Sequence, residues 1–482
     1  MEISLQKANK CTDQELNIFL SSFNLIDSLA KVCSSSFKQD LGYCCPDIAF
    51  RLVNHANDDN KIYMTDDNLV DAKRMSHYLF QQKTDTLDYD EKLLMIDYQQ
   101  HKNNEIIKYD LARTRFIYDI LWHGVKRAKG ILIKDEIELE TGLNLNALLA
   151  LNYTFGNNVK KLGFFTVYKK AKIDTLSKRN QEIFSLENQN HYLNYCCISY
   201  DDLRMKTNKD GVFLLDKCPV IRTDTVPDGC DFEPFMVPSF ENYIKKSTTN
   251  LFYALSSRFE EANKGNKFKS AFGYVFEAYV KKLFEECLTS WQIDCEDIYE
   301  KKYEGKKIDF FISKDDKLIL VEVKHASLYL KSIKSCKNVD LRENLNQTLR
   351  KGVDQIRKAE ETIFDSSNLT LSKFKHVRFI QRLIVTYLPL KRSNSIIKNI
   401  IKEEIKDYPK KKDFHIINIQ ELEMLLSNQK ESESFFDLLN YKELNSPSID
   451  FNEYIVETFK DLKYEIAILE KINEDFRFQF NL

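Results

Sequence analysis

Two short apolar runs separated by a polar turn stand out in the hydrophobic pattern of the chain's second half. Residues 308–312 and 318–324 are almost continuously apolar, and Lys314, Asp315 and Asp316 lie between them. Runs of this length, bounded by a turn, are typical of strands that are buried on both faces. The pattern therefore predicts a β-hairpin inside a sheet.

Three charged side chains interrupt this apolar hairpin. Asp309 begins the first run, and Glu322 and Lys324 lie near the end of the second. Side chains two apart on a strand share a face, so Glu322 and Lys324 project together while Val321 and Val323 point into the core. Asp309 lies opposite them on the neighbouring strand. Burying these groups costs free energy unless they pair with one another or bind a metal.

Two carboxylates beside an ammonium suit metal-assisted hydrolysis of a phosphodiester. Mg²⁺ is usually held by one or two carboxylates together with water and substrate phosphate, and Mn²⁺ accepts the same oxygen ligands. Asp309 and Glu322 are the candidate ligands, and the main-chain carbonyl of Val323 is a further one. Lys324 is the candidate for orienting or deprotonating the attacking water and for offsetting charge in the transition state.

Amphipathic helices are predicted on both sides of the hairpin. Upstream, residues 272–284 have apolar side chains at helical spacing, and Glu277 borders that stripe one turn after Gly273. Downstream, residues 341–364 carry one apolar face and a polar face that includes Gln355. The apolar positions of the second helix are Leu345, Leu349, Ile356, Ala359 and Ile363. Taken alone, Glu277 is better explained as a solvated helix flank, and a solvated polar face explains Gln355 nearly as well as a role in the site does.

Further apolar runs extend the predicted sheet. Residues 383–387 and 414–418 read as strands, and residues 421–426 read as a helix. The elements then follow the order helix, strand, strand, helix, strand. The predicted fold class is α/β with a mixed sheet, preceded by a mainly helical N-terminal region.

Asp309, followed after twelve residues by Glu322-Val323-Lys324, resembles the core motif of the PD-(D/E)xK, or restriction-endonuclease-like, nuclease superfamily. Ile308 stands where that family usually has proline. The resemblance covers about residues 265–430 and implies an αββαβ core with Mg²⁺-dependent cleavage. It also implies that Glu277 joins the metal site and that Gln355 approaches the site or the scissile phosphate.

Charge is unevenly spread although the formal net charge is only −2. Basic residues predominate between 324 and 358, opposed only by Asp340, Glu343 and Asp354. They are Lys324, Lys331, Lys334, Lys337, Arg342, Arg350, Lys351, Arg357 and Lys358. A basic surface beside a metal site suits a phosphate backbone. We expect a nucleic-acid partner, DNA rather than RNA, contacted by Arg350, Lys351 and Lys358.

The pattern divides the chain into four regions. Residues 1–127 are predicted to be helical, 128–262 mixed α/β, 263–430 the nuclease domain, and 431–482 an acidic helical tail. The first helix begins at a capping-box pattern, Thr12 to Glu15. Gly124, Gly130 and the strand-like residues 131–133 indicate the first boundary.

Composition bounds the class of protein. With 12 Gly and 8 Pro in 482 residues, a helix-rich architecture is favoured over an all-β one. Eleven cysteines without disulfide-like spacing, and no signal-peptide pattern at Met1, predict a cytoplasmic protein. No apolar run reaches membrane-spanning length, so no membrane partner is expected.

The expected function is a Mg²⁺-dependent DNA endonuclease, and by the resemblance one acting in prokaryotic defence against phage or other foreign DNA. An RNA-cleaving effector with the same site is one alternative. A second is a catalytically inactive nuclease-fold scaffold whose N-terminal half docks a regulatory protein, and a third is a helical interaction protein in which the motif is accidental. A homodimer is expected because double-strand cleavage takes two sites.

Overall fold

The computed structural model describes residues 11–35, 44–56, 60–83, 109–205, 214–215, 217–223, 234–298, 307–325, 338–365, 371–390, 393–405, 413–429, 434–459 and 464–480. Over these ranges the chain is an α/β protein, mostly helical, with two mixed sheets. Among the described helices, none has both the length and the apolar composition that crossing a bilayer requires.

The N-terminal region is helical. Helices α1 to α4 span Asp13–Ser21, Leu25–Ser35, Cys45–His55 and Asp66–Lys83. The predicted capping box is confirmed, since the Thr12 hydroxyl accepts from the Glu15 N–H and the Glu15 carboxylate accepts from the Thr12 N–H. These helices share a hydrophobic cluster with residues of a small sheet, including Ile221 and Met236.

The middle region contains short helices and that small sheet. Helices α5 to α14 span Asp110–Arg115, Trp122–Gly124, Ile133–Thr141, Leu145–Leu162, Lys170–Ile173, Lys178–Ile183, Leu186–Cys196, Tyr200–Arg204, Phe240–Lys246 and Leu251–Glu261. A π-helical turn, Phe116–Leu121, joins α5 to α6, and a 3₁₀ turn, Lys126–Ala128, follows. Strands β1 to β4 span Phe164–Phe165, Cys197–Ser199, Val220–Arg222 and Phe235–Met236. They lie in the order β1-β4-β3-β2, with β2 and β3 parallel and the other pairs antiparallel.

The strand expected at residues 131–133 is wrong. Ile133 is the first residue of α7, and Asp135 and Glu136 follow in its first turn, where acidic side chains favour a helix. Ile131 is buried whereas Leu132 is 68% exposed, so the three apolar residues do not form one continuous buried run.

A five-stranded sheet organises the second half of the chain. Helix α15, Gly265–Cys287, precedes it. Strands β5 to β9 span Gln292–Cys295, Phe310–Lys314, Lys317–Lys324, Phe379–Thr386 and His415–Asn418, and they lie in sequence order across the sheet. The pairs β5–β6 and β6–β7 are antiparallel, and β7–β8 and β8–β9 are parallel. A two-residue turn at Asp315 and Asp316 closes the predicted β6–β7 hairpin.

Helices cover both faces of this sheet. Helix α16, Asn338–Leu345, continues through a π-helical turn, Asn346–Arg350, into α17, Lys351–Phe364. A second π turn, Ser393–Ile397, leads into α18, Lys398–Glu404, and α19, Ile419–Asn428, follows β9. On β7, Ile319 and Val321 join the main core with α15, whereas Leu318 and Leu320 join a second core with α17. Because β7 is covered on both sides, its continuous apolar sequence is explained.

The predicted order of helix, strand, strand, helix, strand is observed in α15, β6, β7, α17 and β8. The five apolar positions listed for the second helix are all buried, as expected. Strand β5 was not predicted, because it is a short edge strand in which Gln292 is exposed and the other three residues are partly exposed.

The region after residue 430 packs into the main core. Helices α20 to α22 span Phe435–Asn445, Phe451–Thr458 and Ala467–Phe480. Their apolar side chains join a cluster that extends from Tyr109 to Phe480. The domain boundaries near residues 128, 263 and 431 remain predictions, and this cluster contains residues from both sides of each.

A buried ion pair connects the N-terminal half to the sheet region. The Arg113 guanidinium on α5 donates to both carboxylate oxygens of Glu423 on α19, over 2.7 and 2.6 Å, and also to Asp110 over 2.5 Å. The Tyr279 hydroxyl on α15 donates to Glu423 over 2.6 Å. Arg113, Glu423 and Asp110 are at most 2% exposed. Removal of any one charged partner would be strongly destabilising, because the remaining charge would stay buried.

We expect Glu423→Gln to lower the free energy of unfolding by about 3 kcal/mol or more, because Arg113 would keep only Asp110 as a charged partner. Urea unfolding followed by circular dichroism measures the change. The matched control is Glu285→Gln, which alters an exposed pair with Lys282 and should cost less than about 1 kcal/mol. Equal losses in the two variants would contradict this account.

Candidate active site

The candidate site lies where β6 begins and β7 ends. Glu322 and Lys324 continue the face of β7 that Leu318 and Leu320 present to α17. Asp309 immediately precedes β6, and its Oδ2 accepts a 2.7 Å hydrogen bond from the main-chain N–H of Val323. The structure therefore brings together the three charged residues that the hairpin pattern selected.

Lys324 connects the sheet to the helix that covers it. Its ammonium donates to Glu322 Oε1 and, over 3.1 Å, to Gln355 Oε1 on α17. The Gln355 amide in turn donates to the main-chain carbonyl of Lys307 over 2.7 Å. Gln355 thus holds the lysine in place and ties it to the segment that leads into β6.

Glu322 is the most constrained member of the group. Its side chain is 2% exposed, and its second oxygen, Oε2, has no hydrogen-bond partner in the described part of the chain. Burial raises the pKa of Glu322 well above its ordinary value, the Asp309 charge raises it further, and Lys324 opposes the change. A buried carboxylate oxygen without a donor is costly, so this oxygen suits a ligand that supplies positive charge.

The other two carboxyls are shifted in the same direction. Burial raises the pKa of Asp309 to about 6, against the lowering effect of the Val323 N–H and of Lys324. Burial raises the pKa of Glu277 to about 7, and the charges of Asp309 and Glu296 add to that effect. Burial is the main cause of the raised pKa in all three carboxyls, so the site disfavours their charged forms unless a cation offsets the cost.

Glu277 reaches the site from the other side of the sheet. Helix α15 packs on the face of β7 that carries Val321, opposite to α17. Glu277 is half-buried there and, within the described ranges, makes no hydrogen bond to the hairpin, so its link to Asp309 and Glu322 is through charge. Among the described residues, no three His, Cys, Asp or Glu side chains form a compact metal-binding group.

The predicted nucleic-acid contacts lie on α17 and on the π-helical turn that precedes it. Lys351 and Lys358 are exposed and Arg350 is half-buried, and within the described ranges none of the three makes an ion pair. Arg342 and Arg357, in contrast, pair with acidic neighbours. Lys331, Lys334 and Lys337 of the same basic segment lie outside the described residues.

Gly352 was missed by the sequence reasoning although it shapes the site. A Cβ atom at Gly352 would lie 3.3 Å from Glu322 Cγ and 3.3 Å from Lys324 Cε. A glycine inside a helix costs about 1 kcal/mol relative to alanine, so its position three residues before Gln355 was a usable signal of close packing. Gly273, one turn before Glu277 on α15, faces His325, whose Nδ1 would lie 3.8 Å from a Cβ atom at that position.

Two further charged residues influence the site without any sequence pattern that selects them. Glu296, in the 3₁₀ turn Glu296–Ile298 after β5, raises the pKa of both Asp309 and Glu277. Arg127, about 150 positions earlier than Glu277 in the chain, lowers the pKa of Glu277. Their placement depends on tertiary packing, which no local spacing encodes.

No protein-family model, no curated protein and no solved structure matches this chain.

Proposed function

We propose that this protein is a metal-dependent nuclease with a restriction-endonuclease-like core, and that Asp309, Glu322 and Lys324 are its catalytic residues. The observation that carries the proposal is the buried Glu322 Oε2, which has no partner in the described part of the chain and lies beside Asp309 and Lys324 at the end of two adjacent strands. The element order around the hairpin supports the same reading.

The donor set fits Mg²⁺, with Mn²⁺ as a substitute. Asp309 and Glu322 supply the one or two carboxylates that Mg²⁺ usually takes from a protein. The Val323 carbonyl is the third donor, because the N–H and C=O of a strand residue point to the same side and the Val323 N–H points to Asp309. When bound, the cation lowers the pKa of its water and neutralises phosphate charge. Glu277 is placed to accept a proton or to complete the ligand set through water.

Lys324 and Gln355 act on the attacking water and on the phosphate. The Lys324 ammonium is held by Glu322 and Gln355, so its position is fixed before substrate arrives. Positive charge fixed in this way stabilises the negative charge that develops on a phosphoryl group in the transition state. Arg350, Lys351 and Lys358 provide backbone contacts beside the site, and we propose DNA as the substrate, in defence against foreign DNA.

Purified protein should cleave plasmid or linear DNA in the presence of Mg²⁺ or Mn²⁺ and not with a chelator. We expect Lys324→Ala to reduce cleavage at least about 100-fold, because removal of one preorganised electrostatic group typically costs that much. Lys317→Ala, at the far end of the same strand, is the matched control and should retain activity within about twofold.

Parallel reactions with RNA test the RNA-cleaving alternative. Lack of cleavage of every nucleic acid by the wild type, with and without metal, would contradict the proposal and favour the inactive scaffold. The oligomeric state, measured by light scattering, tests the expected homodimer, and a strict monomer that makes double-strand breaks would contradict it.

The raised carboxyl pKa values predict a specific dependence of stability on pH. A carboxyl whose pKa is raised by folding contributes stability that is fully present below its unfolded pKa and is lost as pH rises through its folded pKa. The melting temperature in chelator should therefore fall as pH rises through about 6 for Asp309 and about 7 for Glu277. Mg²⁺ should restore it at neutral pH by about 2 °C or more, because it binds only the native state.

Asp309→Asn should flatten this pH dependence and abolish the Mg²⁺-induced shift. Asp437→Asn, which changes an exposed carboxyl that pairs with Lys317, is the control and should leave the shift intact. A wild-type melting temperature that is independent of Mg²⁺ at every pH would contradict the metal site. Thermal denaturation over a range of pH and metal concentration supplies all of these values.

Gly352→Ala should reduce activity without much change in stability. The new methyl group would press on Glu322 and Lys324, and displacing reacting groups by a few tenths of an ångström should lower the cleavage rate about tenfold. The gain in helix propensity, about 1 kcal/mol, offsets the crowding in the free energy of unfolding. Gly273→Ala, which meets only ordinary contact, is the matched control. Equal activities of the two variants would contradict the role given to Gly352.

A further inference from the structure

A basic turn from the N-terminal half docks on α15 beside the candidate site. We call the exposed residues Lys126, Arg127 and Lys129 the basic turn. The turn is anchored by Ala128, which is fully buried, and by Lys267 of α15, whose ammonium donates to the Gly130 carbonyl over 3.1 Å. These two anchoring contacts do not involve the side chains of Lys126, Arg127 or Lys129.

Arg127 lies over an aromatic ring on the same helix as Glu277. Its guanidinium carbon is 4.4 Å from the centroid of the Tyr274 ring, and its Nη2 is 3.5 Å from Glu296 Oε1. Tyr274 precedes Glu277 by three residues, so both lie on one face of α15. The Arg127 side chain is still 57% exposed, so the ring covers only part of it.

Arg127 of the basic turn influences the candidate site through its charge. It lowers the pKa of Glu277, and Glu296 raises that pKa. Within the described ranges Lys126 and Lys129 make no ion pair, so Glu296 is the acidic side chain that opposes the turn. Positive charge beside a cluster of carboxyls is a surface for a polyanion that approaches those carboxyls.

We propose that the basic turn and Tyr274 hold the nucleic-acid strand on the Glu277 side of the site, with the Arg127 guanidinium as a stacking face for an unpaired base. The inference rests on the proposed nuclease function and deepens it by naming the substrate class, a nucleic acid with a single-stranded segment at the site. Arginine stacks on flat π-systems, whereas lysine is a point charge. A guanidinium backed by a tyrosine ring stacks the face of a splayed base, which a paired base inside a duplex does not offer.

The proposal assigns a role to the N-terminal half. On the α17 side, Arg350, Lys351 and Lys358 would supply charge for backbone contacts. On the α15 side, the basic turn adds a guanidinium that is backed by an aromatic ring. A strand crossing the site would then be held by its backbone on one side and by a base on the other. Phosphate contacts alone would not distinguish a single strand from a duplex.

Binding is measured in the Lys324→Ala background, so that cleavage does not consume the probe. The probes are a fluorescein-labelled single-stranded DNA, the same sequence as a duplex, and a single strand carrying 2-aminopurine, whose fluorescence falls when it stacks. The test variant is Arg127→Lys, which keeps the charge and removes the planar face. The matched control is Arg74→Lys, an arginine of α4 that is 45% exposed and paired with Asp71.

We expect Arg127→Lys to weaken single-strand binding about fivefold or more, the change that corresponds to one stacked base. Quenching of 2-aminopurine should fall with it, and duplex affinity should change less than about twofold. Tyr274→Leu keeps apolar cover on α15 and should give the same selective loss. Thermal melting of each variant checks that the fold is retained.

Unchanged single-strand affinity in both Arg127→Lys and Tyr274→Leu would overturn the stacking role, as would equal losses in Arg127→Lys and Arg74→Lys. Cleavage by the wild type together with unchanged binding would overturn this inference and leave the nuclease proposal standing. Selective single-strand binding together with no cleavage by the wild type would overturn the nuclease proposal and leave this inference standing. Failure to bind any nucleic acid would overturn both.

Discussion

The buried ion pair between Arg113 and Glu423 is the interaction on which the arrangement of the molecule depends. It joins α5 to α19, and through the Tyr279 hydroxyl it also holds α15. Helix α15 carries both Glu277, beside the carboxyls, and Tyr274, beneath Arg127. Because a buried charge without its partner is strongly destabilising, the helices that meet at Glu423 have one relative placement. The position of the N-terminal half beside the site follows from that placement.

The candidate site contains carboxyl groups whose burial costs free energy. Three neighbouring carboxyls have pKa values raised mainly by burial, so their charged forms are costly, and Glu322 Oε2 has no donor in the described residues. In the Arg113 cluster, in contrast, both oxygens of Glu423 accept hydrogen bonds from the guanidinium. Residues that are costly in the folded state and satisfied by a ligand are typical of functional sites.

Local patterns predicted the elements that carry the site, and tertiary contacts explain what they missed. The β6–β7 hairpin, α15, α17 and β8 follow from apolar periodicity, and Asp309, Glu322 and Lys324 follow from strand alternation. The approach of Gln355 to the site was inferred only through a resemblance. Strand β5 was missed because it lacks an apolar pattern. Residues 131–133 have such a pattern, but helix α7 begins at Ile133. Arg127 and Glu296 approach Glu277 through packing between distant segments, which spacing along the chain does not encode.

Strand β5 has a consequence for how copies of this chain can associate. It ends the sheet on the side away from β9, and an open strand edge invites pairing with another chain. The strand is only four residues long, Gln292 is exposed, and Asp294 pairs with Lys373 across 2.8 Å. A short edge bearing charge discourages continuous sheets between molecules. Two copies of the chain would therefore not be joined through the β5 edge.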